Sequence, residues 1–170
     1  MSTPRRPPGS RNASSAGRPR LDLVATCALG LEELLAAEVA GLGAEEISSE
    51  PGAVHFAGDW ALVGPANLWL RTANRVLVVL RSWVARDGDA LARGAFGLLG
   101  EERAAGLPVS ELLHPDRTLA VRATVRGSAV DDARWAALKV KDGLVDGQRR
   151  RFGRRSTVAR DAPDLALRLH

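Results

Sequence analysis

The sequence predicts an α+β fold in which a ferredoxin-like βαββαβ unit is followed by a second, partial α/β unit. In the first half, segments with strand character and two segments with helical periodicity follow one another in the order β-α-β-β-α-β. In the last third, a cleanly alternating strand pattern, one long helical pattern and one further strand pattern follow. A hydrophobic content of 45% over 170 residues is sufficient for a buried core.

The first unit is predicted to occupy residues 21–86. Its elements are a strand at 21–27 (LDLVATC), a helix at 29–42, a strand-turn-strand segment at 44–59, a helix ending near Leu70, and a strand at 75–84 (RVLVVLRSWV). Pro51-Gly52 is expected to form the turn. Asp59 is expected to cap the second helix, since a carboxylate at this position accepts hydrogen bonds from free backbone amides.

The second unit is predicted to occupy residues 87–170. Its elements are a helix from Ala90 to about Leu99 capped by Asp89, a connector at 101–116 with one short helical turn, a strand at 118–126, a helix capped by Asp131 or Asp132 that runs to about Arg151, and a strand beginning at Leu165. These elements cannot close a core without further layers. We therefore expect the chain to be the N-terminal piece of a longer protein.

The net charge of +4 is distributed unevenly. Residues 1–20 carry five arginines and no acid, residues 21–129 carry nine arginines and fourteen acids, and residues 130–170 carry ten basic and six acidic residues. This asymmetry indicates a polyanionic partner for the two ends of the chain. Residues 1–20 also contain four prolines and are predicted to be a disordered basic tail.

Several classes of site are disfavoured by the sequence. The single cysteine, Cys27, lies in a strand pattern and is expected to be a buried core thiol rather than a nucleophile. His55, His114 and His170 are scattered and show no metal-ligand spacing. No apolar run approaches the length of a membrane span. We expect no metal, no membrane association and a cytoplasmic location.

The long helix of the second unit carries the only two lysines of the chain, Lys139 and Lys141, just ahead of an arginine cluster. At about 100° per residue their side chains point roughly 160° apart, so they do not grip one phosphate together. Asp142 lies at helical spacing from Lys139, whereas Lys141 has no acidic residue at that spacing, which makes Lys141 the better candidate. The candidate RNA-binding residues are Lys139, Lys141, Arg149, Arg150, Arg151, Arg154 and Arg155. The structural alternative is that arginines at a helix C-terminus favour the helix dipole.

Two long stretches carry a resemblance to a known family. Residues 137–170 contain ALKVKDGLVD, then arginines, then RDAPDLALRLH, and the first unit contains ATCALGLEELLAAEVAGLGA, PGAVHFAGD and NLWLRTANRVLVVL. Over residues 23–170 and in one linear order, these motifs resemble the N-terminal ferredoxin-like and THUMP region of bacterial large-subunit ribosomal RNA methyltransferases. That family methylates the exocyclic amino group of a guanine with S-adenosylmethionine.

The resemblance implies that the second unit is a THUMP domain that binds structured ribosomal RNA and presents it to a catalytic methyltransferase domain, in cis or in trans. It implies RNA contact at Lys139 and Lys141 of the KVKD motif, and structural roles for Asp142 and for Asp164 of the RDAPDL motif. The chain departs from the family at Gly143, where alanine is usual, and this departure is expected to weaken the helix.

The resemblance also implies what this chain does not contain. The glycine-rich cofactor loop and the Asn/Asp-Pro-Pro-aromatic motif of the catalytic domain have no counterpart, since the only Pro-Pro pair is Pro7-Pro8 in the tail. We expect no catalytic residue, no bound S-adenosylmethionine and no methyltransferase activity in this chain alone. The alternative is a ferredoxin-like scaffold that binds a protein or a metabolite and has no RNA role.

Overall fold

The structure is a computed structural model that describes residues 19–125, 129–159 and 161–170. The predicted N-terminal tail lies outside these ranges except for Pro19 and Arg20. Within them the chain forms two α/β units, each with its own hydrophobic cluster.

The first unit has the predicted βαββαβ order. Its elements are β1 (Leu21–Thr26), α1 (Glu32–Gly41), β2 (Glu45–Glu50), β3 (Ala53–Gly58), α2 (Trp60–Trp69) and β4 (Arg75–Val78). The four strands form one sheet in the order β2-β3-β1-β4, with every neighbouring pair antiparallel. This is the ferredoxin-like arrangement, and Asp59 caps α2 as predicted by accepting from Ala61 N at 2.8 Å and Leu62 N at 3.1 Å.

Two boundaries in the first unit differ from the prediction. The helix α1 begins at Glu32 rather than residue 29, because Gly30 adopts a left-handed backbone with φ of 88° that cannot continue into a helix. The strand β4 ends at Val78 rather than Val84. Beyond Val78 the apolar residues Leu80 and Trp83 pack against the hydrophobic cluster of the second unit, so they leave the sheet to which their alternation had assigned them.

The second unit contains α3 (Gly88–Leu98), β5 (Arg103–Ala104), β6 (Leu107–Pro108), α4 (Val109–Leu112), β7 (Leu119–Ala123), α5 (Ala133–Phe152) and β8 (Leu165–Leu169). The capping residue of α3 is Asp87, not Asp89, since the Asp87 carboxylate accepts from Ala90 N at 2.7 Å. The predicted connector at 101–116 forms a short hairpin, β5–β6, before the helical turn α4.

Strands β7 and β8 pair in parallel, with Leu119 opposite Leu165 and Ala123 opposite Leu169. The predicted strand at 118–126 is therefore shorter at both ends, and Arg126 lies outside the described residues. The Asp164 carboxylate fixes the start of this pairing, because it accepts from Thr118 N at 2.8 Å and from Thr118 Oγ1 at 2.7 Å. These hydrogen bonds lower the pKa of Asp164. The structural role expected of Asp164 is thus observed.

Candidate nucleic-acid interface

The helix α5 carries most of the candidate residues, and its two ends are well defined. Asp132, one of the two predicted caps, accepts from Arg134 N at 2.8 Å and from Trp135 N at 3.0 Å. At the other end Gly153 adopts φ of 72° and donates its N–H to Arg149 O at 2.9 Å. A left-handed glycine of this kind ends a helix without a steric penalty. The arginine cluster consequently lies on the last helical turn and on the loop that leaves it.

Glycines bring α5 into close contact with α3. A Cβ atom on Gly143 would overlap the carbonyl oxygen of Ala92, and one on Gly147 would lie 2.9 Å from Leu99 Cβ. The expectation that Gly143 only weakens the helix is therefore wrong. Its missing side chain is what allows the backbone of α3 to approach, so the loss of helix propensity is offset by packing.

A buried polar network holds the loop that follows α5. Gln148 donates from Nε2 to Leu113 O at 2.8 Å and to Ser156 Oγ at 2.7 Å, and Ser156 N donates back to Gln148 Oε1 at 3.0 Å. These hydrogen bonds fold the chain back onto the helix between Gly153 and Ser156. Arg154 and Arg155 are in this way held beside the last turn of α5.

The two lysines of α5 occupy different environments. Lys141 Nζ lies 2.9 Å from Asp142 Oδ1, and its side chain is only 28% exposed. Lys139 Nζ lies 5.5 Å from the ring centroid of Trp135, a cation–π arrangement. Asp142 therefore pairs with its sequence neighbour Lys141 rather than with Lys139. The preference for Lys141 as the unpaired lysine does not hold, and Lys139 has no acidic partner among the described residues.

The three arginines in the last turn of α5 have three different roles. Arg149 Nη1 lies 3.2 Å from Asp146 Oδ1, an exposed pair one turn apart. Arg150 lies over the ring of Phe96 at 5.6 Å. Arg151 Nη1 donates to Leu99 O at 2.7 Å and to Glu101 O at 3.0 Å, so it binds the carbonyls at the C-terminal end of α3. Arg151 thereby supports the helix pair, a structural role different from the effect on the dipole of α5 that the sequence analysis considered.

The two arginines of the following loop differ as well. Arg154 forms an ion pair with Asp116, whose pKa it lowers. Arg155 is exposed, and its side chain has no ion-pair or hydrogen-bond partner within the described ranges. Among the candidate residues, Lys139, Arg150 and Arg155 are thus the ones that have neither a carboxylate partner nor a backbone carbonyl acceptor within the described ranges, since Arg151 binds carbonyls. Exposed ion pairs such as those of Arg149 and Arg154 are weak and leave these side chains able to exchange partners.

The structure also brings together basic residues that the sequence analysis missed. Arg122 of β7 lies directly opposite Arg168 of β8 in the parallel register. The charge of Arg75, at the start of β4, contributes to lowering the pKa of Arg168, after desolvation by burial. The sequence could have indicated the pair of Arg122 and Arg168, because the two strand sequences match. LAVRA at 119–123 and LALRL at 165–169 each have an arginine at the fourth position.

The other classes of site considered from the sequence are a reactive cysteine, a metal site and a membrane span. Cys27 is buried, and desolvation raises the pKa of its thiol, which disfavours the nucleophilic thiolate. Over the described part of the chain, no group of three or more His, Cys, Asp or Glu side chains could hold a metal ion. The helices in those same ranges include none with the length and apolarity needed to cross a bilayer.

Two domain families match this chain. Residues 22–77 match the RlmL ferredoxin-like domain, and residues 101–170 match the THUMP domain. The helix α3 lies between the two matched ranges and packs against α5.

Proteins of known sequence or structure are similar to most of this chain. A ribosomal RNA large subunit methyltransferase K/L from Pseudomonas putida is 37% identical over 150 residues, which are 88% of this chain and 19% of that protein. A solved structure from Listeria monocytogenes, described as a predicted N6-adenine-specific DNA methylase, has a TM-score of 0.69, 31% identity, and coverage of 88% of this chain and 37% of that one. A methyltransferase-like protein solved with SAH has a TM-score of 0.63, 25% identity, and coverage of 86% and 35%. The chain thus spans about a fifth of the length of the curated relatives it matches.

Proposed function

We propose that this chain, which contains an RlmL ferredoxin-like domain and a THUMP domain and is similar to the corresponding part of a large-subunit ribosomal RNA methyltransferase, binds structured ribosomal RNA and presents it to a methyltransferase domain. The methyltransferase domain is supplied in cis or in trans, uses S-adenosylmethionine and acts on the amino group of a guanine. The module works in the cytoplasm. This chain contributes no catalytic or cofactor-binding residue to the reaction.

One observation supports this proposal most strongly. The C-terminal end of α5 and the loop after it present Arg149, Arg150, Arg154 and Arg155 on one end of a rigid helix pair, and the buried Gln148–Ser156 network holds that loop in place. Arginine offers a planar fork that matches the oxygens of a phosphate. Such contacts position an RNA without reading its sequence, which is the role of a presenting module.

Within this proposal, the charge environment of each candidate residue supports a ranking of the contacts. Lys139, Arg150 and Arg155 are the primary contacts, since neither a carboxylate nor a backbone carbonyl of the described residues engages them. Lys141, Arg149 and Arg154 join them after exchanging an exposed carboxylate for a phosphate. Arg151 acts indirectly by holding the end of α3.

The test is a titration of the 170-residue chain with fragments of large-subunit ribosomal RNA at several salt concentrations. We expect the logarithm of the association constant to fall linearly with the logarithm of the salt concentration. The slope should be about −0.7 to −0.9 for each phosphate contacted. The double variant Lys139→Glu, Arg150→Glu should weaken binding while the circular dichroism melt is nearly unchanged. Absence of binding at low salt would refute the proposal.

A second candidate function is favoured by one observation. Leu68 and Trp69, at the end of α2, are 78% and 69% exposed, which is unusual for large apolar side chains and suits a protein-binding surface. A scaffold that acts through this surface would bind its protein partner equally well with Lys139→Glu, Arg150→Glu in place. It would lose that partner with Trp69→Ser, which leaves the arginine cluster untouched.

A further inference from the structure

The parallel pair β7–β8 has one face that lies outside the hydrophobic cluster of the second unit, and on it Ala120 is buried whereas Arg122, Ala166 and Arg168 are exposed. The Val121, Leu165 and Leu167 side chains of the pair belong to that cluster. Because side chains alternate along a strand, Ala120, Arg122, Ala166 and Arg168 share the opposite face. That face therefore combines two small side chains with two arginines.

The register places these arginines side by side. Ala120 pairs with Ala166, and Arg122 pairs with Arg168, on adjacent strands. Like charges directly opposite one another destabilise a sheet. A pairing that breaks a local rule of stability in this way is expected at a functional site rather than in a structural element.

A concave surface accompanies the arginine pair. A cavity of about 170 Å³ is lined by Ala120, Arg122, Pro163, Ala166, Leu167 and Arg168. Its lining thus combines two small alanine side chains with two arginines. No carboxylate occurs among these described lining residues, and Asp164, their nearest acidic neighbour in the chain, is engaged by Thr118.

The environment of the Arg168 guanidinium is unfavourable to its charge. Partial desolvation and the charges of Arg75 and Arg122 lower the pKa of the Arg168 guanidinium, which still stays protonated. A bound anion would relieve the repulsion between the guanidinium groups of Arg122 and Arg168, which the strand register places on adjacent strands.

We propose that Arg122 and Arg168 form a phosphate-binding site on the face of β7–β8 that carries both arginines. Its occupant is a phosphodiester of the RNA that α5 also contacts, so this assignment rests on the proposed function. The site is separate from the arginine cluster of α5 and would anchor the RNA at a second point. Two separated anchors fix the direction of a bound strand, which a single basic patch cannot do.

The test compares Arg168→Gln with Arg93→Gln, a matched loss of one exposed arginine on α3. In salt titrations with ribosomal RNA fragments, Arg168→Gln should reduce the slope of the logarithm of the association constant against the logarithm of the salt concentration by about 0.7–0.9 in magnitude. It should reduce the RNA affinity on the order of tenfold. Its melting temperature should stay the same or rise, because a like-charge contact is removed. Arg93→Gln should leave the slope and the melting temperature unchanged. A lower melting temperature for Arg168→Gln with an unchanged slope would overturn the proposal.

A second measurement separates the sources of phosphate and the two proposals. Inorganic pyrophosphate is titrated into the 170-residue chain while the arginine side-chain resonances are followed by NMR. Perturbation of Arg168 by pyrophosphate, without an effect of Arg168→Gln on RNA binding, would support the anion site with a free phosphate compound as its ligand. Suppose that the wild-type chain binds RNA, that Arg168→Gln leaves this binding unchanged, and that pyrophosphate does not perturb the Arg168 resonances. The phosphate site is then refuted and the proposed function stands. If the chain binds no RNA, the proposed function fails and the pyrophosphate titration alone decides the site.

Discussion

Gln148 and Ser156 are joined by two hydrogen bonds that run in opposite directions, and their residues are only 1% and 3% exposed. The pair closes the eight-residue step from the last turn of α5 to the loop beyond Gly153. Through Leu113 O it also ties both segments to the end of α4. The orientation of the arginine cluster therefore depends on a polar contact within the protein interior.

Replacing Gln148 by leucine should destabilise the chain strongly. The change keeps the volume similar but leaves Leu113 O, Ser156 N and Ser156 Oγ buried without partners. We expect the free energy of unfolding to fall by about 2–4 kcal/mol. Urea denaturation measures it. Ser156→Ala removes one partner only and should cost about 1 kcal/mol; equal losses for the two variants would contradict this account of the network.

Substitution of Gly143 by alanine distinguishes packing from helix propensity. Propensity alone predicts a gain of about 0.8–1 kcal/mol. The overlap with the Ala92 carbonyl predicts a net loss of about 1–3 kcal/mol, because backbone cannot move aside as a flexible side chain can. Thermal and urea unfolding give the sign. Gly41→Ala at the end of α1, where a Cβ meets no neighbour, is the control and should be neutral or stabilising.

Arg150 and Arg151 are sequence neighbours that should respond oppositely to loss of charge. Arg150→Gln removes a positive charge proposed to contact phosphate, so RNA affinity should fall severalfold. The melting temperature should change little, because the guanidinium lies over the Phe96 ring without an ion pair to any described residue. Arg151→Gln removes the donor to Leu99 O and Glu101 O, so stability should fall by about 1–2 kcal/mol. Parallel RNA titrations and melts measure both effects. If Arg150→Gln melted as low as Arg151→Gln, the assignment of roles would be wrong.

The Thr118–Asp164 contact should make stability depend on pH in the acidic range. The pKa of Asp164 is lowered in the folded state from its ordinary value of 3.8, since the carboxylate accepts two hydrogen bonds from Thr118. A depressed pKa contributes stability above the unfolded value, and that contribution is lost as the pH falls through the folded value.

We therefore expect the urea midpoint of the wild-type chain to decrease from about pH 5 downward more steeply than that of Asp164→Asn. At neutral pH the wild-type chain should be the more stable of the two. Identical pH profiles for both chains would show that Asp164 does not contribute to this dependence.

Much of the fold follows from local patterns. The strand and helix periodicities predict the βαββαβ order, the long helix α5 and the strand β8. Asp59 is correctly predicted as a helix cap, and Asp132 is one of the two residues predicted to cap α5. These features depend on residues within a few positions of one another, which is the range over which periodicity and capping act. The resemblance of residues 23–170 likewise predicts the two domain families that match this chain.

The positions that failed or were missed depend on contacts between distant segments. The pattern at 75–84 is that of a strand, but Leu80 and Trp83 are taken by the second core, so β4 stops at Val78. Within its own helix Gly143 lowers helix propensity. Once α3 packs against α5, the absence of a side chain at Gly143 is required for the close approach of the two helices.

By itself, therefore, the sequence determined the longer helices and strands and their order, though not the hairpin β5–β6, and it determined that the C-terminal part of the chain is basic. Only the tertiary structure decided which charges are neutralised and which converge. Lys141 is paired with Asp142, Arg151 is committed to the end of α3, and Arg122 meets Arg168 because a parallel register aligns residues 46 positions apart. The physical reason is that charge neutralisation and strand register are set by distances between segments, and a linear pattern contains no such distances.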